Sequence, residues 1–293
     1  MSTTTNADAG STTRALVRKE ITHYLRHPVF IVGALLLAAV SWLGATSPDD
    51  RASTSMDGLA PGALLGLLGI VVMASLTKRS DRAAEAAGAV SVSQRTRTLA
   101  LAGAVVVPVT CALAWFVSAV IGFQEHPPAP DGVQFGGVDD SYIYATMFAQ
   151  GVMAAVGGPL LGLMIGRWLP RRGVAPVVMV LMVLVTIVMQ GIFEWTRSWR
   201  VVWPWTHFYG AMGVPGDSDR FMVLTGSPFL YVGYLVALCA LGLLIALLRD
   251  PEADRRGLVR ATVAVAAAAV VLLVLTIVGG YDHTLVNPLS SGR

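Results

Sequence analysis

The sequence predicts an all-α fold: a polytopic transmembrane helical bundle of about seven spans (six plus one additional or re-entrant), preceded by an amphipathic interfacial helix. The first observation behind this is composition. Of 293 residues only 13% are charged and 55% are hydrophobic, with a mean hydropathy of +0.65, whereas a soluble domain has about 25% charged and 45–50% apolar residues. So few ionised groups cannot cover a water-facing surface of that size, and a disordered chain needs the opposite balance. The second observation is how the charge is spread. Seven stretches, 28–48, 58–77, 98–123, 141–166, 174–193, 229–248 and 261–281, hold no Asp, Glu, Lys or Arg. Each reaches the roughly 20 residues that a spanning helix needs, and none alternates in polarity as a barrel strand does.

Orientation follows from the loops. With a cytoplasmic N-terminus and alternating spans, 16 of the 21 basic residues face inward, as the positive-inside bias requires. They are Arg14, Arg18, Lys19, Arg26, Lys78, Arg79, Arg82, Arg95, Arg97, Arg167, Arg171, Arg172, Arg249, Arg255, Arg256 and Arg260; Arg51, Arg197, Arg200, Arg220 and Arg293 fall outside. This places the protein in the cell membrane with an external C-terminus. The basic residues sit beside helix ends, so their purpose is topological and nucleic acid is not a partner.

Along the chain, residues 1–14 read as a disordered cytoplasmic tail and 15–27 as an amphipathic connecting helix, with Val17, Ile21, Tyr24 and Leu25 on one face and Arg18, Lys19, Thr22, His23 and Arg26 on the other. Pro28 is the elbow into the first span. Residues 28–281 form the transmembrane domain and 282–293 an external tail. His23 and His27 are four apart, but two imidazoles without a carboxylate or thiol make a poor metal site. Cys111 and Cys239 lie singly inside apolar stretches and read as small hydrophobes. The loop 78–97 is the longest cytoplasmic connection. Ser80 is placed to cap a short helix closed by Gly88, with Asp81, Arg82 and Glu85 outward; the bland reading is a topogenic turn and the sharper one a docking surface. Ala154, Gly158, Gly162 and Gly166 recur every four residues and form a helix-packing face. Pro108 and Pro159 interrupt spans. Outside, 124–140 is Pro- and acid-rich. The segment 194–228 clusters Trp195, Trp199, Trp203 and Trp205, mainly as interfacial anchors, and part of it is a candidate re-entrant turn.

Absent chemistry narrows the function. Only Lys19 and Lys78 exist, and neither completes a GxxxxGK[ST] phosphate loop; HExxH and GxSxG are missing too. No span carries a central ionised residue of the kind that ion-coupled carriers use, and the last span has no lysine for a Schiff base. No enzyme chemistry and no cofactor is expected of this chain itself.

Three segments carry a resemblance: Leu16-Val17-Arg18-Lys19-Glu20-Ile21-Thr22-His23-Tyr24-Leu25-Arg26-His27-Pro28; Arg82 and Glu85 followed by Val90-Ser91-Val92-Ser93-Gln94-Arg95-Thr96-Arg97; and Gly162-Leu163-Met164-Ile165-Gly166-Arg167-Trp168-Leu169-Pro170-Arg171-Arg172. Together they resemble the membrane (permease) subunit of a type-2 ABC exporter, of the actinobacterial kind in which the ATPase is a separate chain. Ala89 stands where the family pattern has Pro, and the family core has six spans. The resemblance implies a connecting helix bearing Arg18, Lys19 and Arg26. It also implies an ATPase-coupling loop bearing Arg82, Glu85, Ser91, Ser93 and Arg95. The implied partners are an ATP-binding cassette ATPase and a second permease subunit, paired across the small-residue faces, which together export an amphiphilic drug, lipid or peptide. The rival class is a non-transporting membrane protein, such as an immunity, sensor or assembly-anchor subunit.

Overall fold

The computed structural model describes residues 5–46, 59–88, 92–125, 139–192, 201–204, 211–214 and 217–286. Every charge-free stretch contributes a helix. α1 is Thr5–Leu25 and α2 is Pro28–Thr46. α3 runs from Leu59–Pro61 through a π-helical segment, Gly62–Leu67, into Leu68–Ala87. α4 is Gln94–Gly103 and α5 is Val106–Glu125. α6 joins Asp140–Met147, a second π-helical segment at Phe148–Val152, and Met153–Trp168. α7 is Val174–Ile192, α8 is Pro228–Leu247 and α9 is Arg255–Val278.

Five helices are long and apolar enough to cross a membrane: Gly62–Ala86, Gln94–Glu125, Asp140–Trp168, Pro228–Leu247 and Arg255–Val278. Thr12–Leu25 and Pro28–Leu43 together pass the same test but bend by 62°, and Val174–Met189 is a shorter apolar helix. The described residues thus hold five or six helices of spanning length, where the sequence suggested seven. The bend falls at His27 and Pro28, where the chain tightens through His27 N–H to the Tyr24 carbonyl at 3.1 Å and Pro28 brings no N–H of its own. α1 begins at Thr5, so the helix reaches into the segment read as a disordered tail; extending an existing helix is far cheaper than nucleating one.

Proline also explains the break between α4 and α5. Pro108 cannot donate to the Ala104 carbonyl, which takes the Val107 N–H at 3.1 Å instead. The span therefore divides at Ala104 and Val105 but continues in the same direction.

α3 and α6 form the centre of the bundle. Their contacts pair Gly66 with Ala154 and Gly158, Ile70 with Gly162, and Thr77 with Gly166. Both numbers rise together, so the two helices run parallel. A Cβ on Gly158 would overlap the Gly66 carbonyl, and one on Gly162 the Ile70 carbonyl; only glycine allows backbones so close. In lipid this close approach gains dispersion contacts, since apolar burial alone drives little. Around this pair, Leu65, Met73, Leu101, Trp115, Met147 and Leu163 are buried in one cluster. α8 packs on α6 through Tyr231, Tyr234 and Leu235, which join Met153 in a second cluster. α9 lies outermost, packed chiefly on α8, with Val263, Val270, Val271, Val274 and Val278 all exposed.

Beyond the helical bundle the chain forms a three-stranded antiparallel sheet of β1 (Ala211–Val214), β2 (Asp217–Thr225) and β3 (Tyr281–Val286), in that order. An all-helical expectation did not include it. Its strands come from the segment read as a Trp-rich loop and from the start of the presumed tail. Phe221 opposes Leu285, and Val223 opposes His283. The turn 201–204 is pinned nearby: Trp203 Nε1–H donates to Thr186 Oγ1 at 2.9 Å, and the Tyr231 and Tyr234 hydroxyls donate to the Trp203 and Val202 carbonyls, each at 2.9 Å. Trp195, Trp199 and Trp205 lie outside the described residues.

Candidate functional site

The helix ends opposite the sheet carry an ionic network that joins four helices. On α1, Val17, Glu20 and Tyr24 follow one helical face, and Tyr24 and Glu20 are buried. A carboxylate on that face needs a partner. Glu20 Oε2 accepts from Arg79 Nη2 of α3 at 2.7 Å. Burial pushes the Glu20 carboxyl above the usual range, while Arg79 and Lys19 pull it back. Two residues along α3, Asp81 faces the other way. Its Oδ1 accepts from Arg97 Nη1 of α4 at 3.1 Å and from Arg167 Nη1 of α6 at 2.5 Å. Arg97 Nη1 also reaches the Ser80 carbonyl at 3.2 Å. The Arg167 side chain is 2% exposed and that of Arg97 18%, so one carboxylate serves a fully enclosed guanidinium and a largely enclosed one. The parallel run of α3 and α6 is what brings Asp81 and Arg167 to one level.

The periphery of this end is tied as well. Lys78 Nζ donates to the Arg171 carbonyl at 2.6 Å, and Trp168 Nε1–H to the Ile245 carbonyl at 2.8 Å. The Arg249 guanidinium lies 5.9 Å from the Trp168 ring centroid, within cation–π range. His27 Nε2 and the Ser75 hydroxyl share a 2.8 Å hydrogen bond. Burial first, then the charges of Arg79, Lys19 and Arg26, push the His23 imidazole below its ordinary value. Among the described residues no group of three His, Cys, Asp or Glu side chains could hold a metal.

The structure corrects the expected short helix of the loop 78–97. Ser80 begins no helix; α3 continues without a break to Ala87 and ends at Gly88, whose φ of 59° suits glycine. Asp81 therefore faces the bundle, while Arg82 and Glu85 are exposed on the last turns of α3. Ser91 lies outside the described residues. Ser93 caps α4, its Oγ accepting the Thr96 N–H at 3.2 Å, and Arg95 is exposed in the first turn of that helix. On α1, Arg18, Lys19 and Arg26 are exposed, whereas Leu25, expected on the apolar face, is 49% exposed. The face of Ala154, Gly158, Gly162 and Gly166 packs on α3 of the same chain. It is thus occupied and cannot also be the pairing surface for a second subunit.

Sequence reasoning passed over Glu20 and misjudged Asp81. The signal for Glu20 was its position three residues after Val17 and four before Tyr24, on the apolar side of α1. Arg167 gave no such signal, because an arginine closing a charge-free stretch looks the same whether buried or topogenic.

Between α1, the end of α3 and the start of α4 lies an open cleft of about 660 Å³. Leu16, Ala83, Ala84, Val92 and Ala100 form its apolar wall, and Lys19, His23, Arg79, Arg97, Glu20 and Glu85 its polar one. Comparison of the chain with protein-family models, with curated proteins and with solved structures finds no match in any of the three.

Proposed function

We propose that this chain is the membrane-spanning subunit of an ATP-driven exporter, powered by a separate ATP-binding cassette subunit that docks on the end of α3 and the start of α4. One observation supports this above the others. α3 runs past its apolar portion and holds Arg82 and Glu85 exposed, without partners among the described residues, directly beside a network that links α1, α3, α4 and α6. A push on that turn is transmitted through Asp81 and Arg79 to three other helices, which suits a chain with no phosphate loop of its own. In this reading a second membrane subunit pairs through an exposed apolar face, such as Val32, Leu35, Leu36 and Val40 of α2, since the small-residue face is occupied. The pathway between subunits carries an amphiphile.

Docking is tested with Arg82→Ala and Glu85→Ala. Truncating one partner of a partly desolvated ion pair costs about 2–5 kcal/mol, so both variants should insert normally but lose most of the co-purifying ATPase. The exterior double variant Arg197→Ala/Arg200→Ala should keep it. Full ATPase retention in both loop variants would reject this docking site.

The same reading fixes sidedness. α9 starts at the basic end with Arg255 and Arg256 and finishes at the sheet. A reporter that works only in the cytoplasm should be silent after Arg293 and active at the N-terminus. Activity at both ends would contradict the topology.

A further inference from the structure

We infer that the cleft between α1, α3 and α4 is a binding site for an anionic phospholipid, with its phosphate on the basic wall and the start of an acyl chain on the apolar one. The inference rests on the membrane reading of the bundle but not on the ATPase partner.

The cleft has two chemically distinct walls at the level where the charged helix ends meet the apolar spans. Leu16, Ala83, Ala84, Val92 and Ala100 offer aliphatic surface without a polar atom in their side chains. On the other wall, donors are left over. Arg97 Nε–H is buried without a hydrogen-bond partner, and the Lys19 ammonium has none among the described residues. A buried donor without an acceptor is costly, and a phosphate oxygen beside Arg97 Nε removes that cost. The acids of the cleft do not meet this need. Glu20 is held by Arg79 and Asp81 by Arg97 and Arg167, leaving Glu85 exposed at the rim. With Arg79 committed to Glu20 and Arg97 sharing Asp81 with Arg167, Lys19 is the lining cation without an ion-pair partner among the described residues. A volume of about 660 Å³ falls in the roughly 300–1,000 Å³ range of small-molecule sites. It suits a glycerophosphate headgroup and several methylenes better than a free anion, which would leave the apolar wall wet.

The experiment uses the purified full chain, without ATPase, in phosphatidylcholine nanodiscs titrated with fluorescent phosphatidylglycerol. Saturable binding is expected, displaced by unlabelled phosphatidylglycerol and not by phosphatidylcholine. Inorganic phosphate and glycerol 3-phosphate should compete only at far higher concentration; equal competition by free phosphate would overturn the lipid as the ligand. Lys19→Gln, an exposed position that leaves the fold intact, should weaken binding about fivefold. Ala84→Trp fills the apolar wall and should weaken it at least tenfold in protein that remains monodisperse. Arg256→Gln, an equal loss of charge elsewhere on the same end, should change nothing. Glu85→Gln should strengthen lipid binding while weakening ATPase docking, so the two readings fail separately. Unchanged affinity in both Lys19→Gln and Ala84→Trp would overturn the site and leave the cleft to a segment of the ATPase. Equal affinity for phosphatidylcholine would overturn the role of the basic wall.

Discussion

Gly158→Ala should destabilise the bundle severely, whereas the same change at Gly233 of α8 should be tolerated. The added carbon is identical, so helix propensity favours both variants by up to about 1 kcal/mol. Surroundings decide the outcome. At Gly158 the methyl meets the backbone of Gly66, which no rotamer change can move. At Gly233 it meets the Leu272 methyl groups at 3.4 and 3.6 Å, a side chain able to shift. Overpacking a well-filled site typically costs 1–3 kcal/mol and more when the backbone must move; separating α3 from α6 also loosens the Gly162 and Gly166 contacts. A loss of more than about 3 kcal/mol is expected, seen as loss of the monodisperse detergent-solubilised species or a steep fall in its unfolding temperature. Equal behaviour of the two variants would mean that α3 and α6 do not pack on this face.

Asp81→Ala should destabilise the protein by about 3–5 kcal/mol, the usual cost of leaving a buried charge without its counterion. The charge left behind is chiefly Arg167, whose side chain is 2% exposed and whose Nε and Nη2 already lack partners. Arg97, at 18% exposed, keeps the Ser80 carbonyl and loses less. The double variant Asp81→Ala/Arg167→Met should recover most of the loss, because an aliphatic chain of similar length replaces the isolated cation. Additive losses in the double variant would show that the two residues are not coupled.

How much of this was legible in the sequence follows the range of the forces involved. Helix positions were legible because a charge-free run of 20 residues is a local property, and the Gly88 stop and Pro28 elbow were written in single residues. The four-residue spacing from Ala154 to Gly166 announced close helix packing but not the partner. Gly66 and Ile70 lie some 90 positions earlier, and nothing local distinguishes an intramolecular neighbour from a second subunit. The network failed to show for the same reason. Asp81 looks like a solvated loop residue until α3 proves continuous, and it acquires Arg167 only through the parallel α3–α6 pairing. The strands were missed because β2 and β3 are separated by two helices and pair across them.

We propose that the chain works as one half of an ATP-driven machine whose motor is another polypeptide. That division of labour is tested most directly by purifying the chain from its own membranes in mild detergent and assaying the product for ATP hydrolysis. An ATP-binding cassette protein should co-purify in comparable amount. ATP turnover should disappear when that protein is stripped away, leaving the isolated chain inert. A chain that purifies alone in mild detergent, or one that hydrolyses ATP after every other protein has been removed, would contradict it.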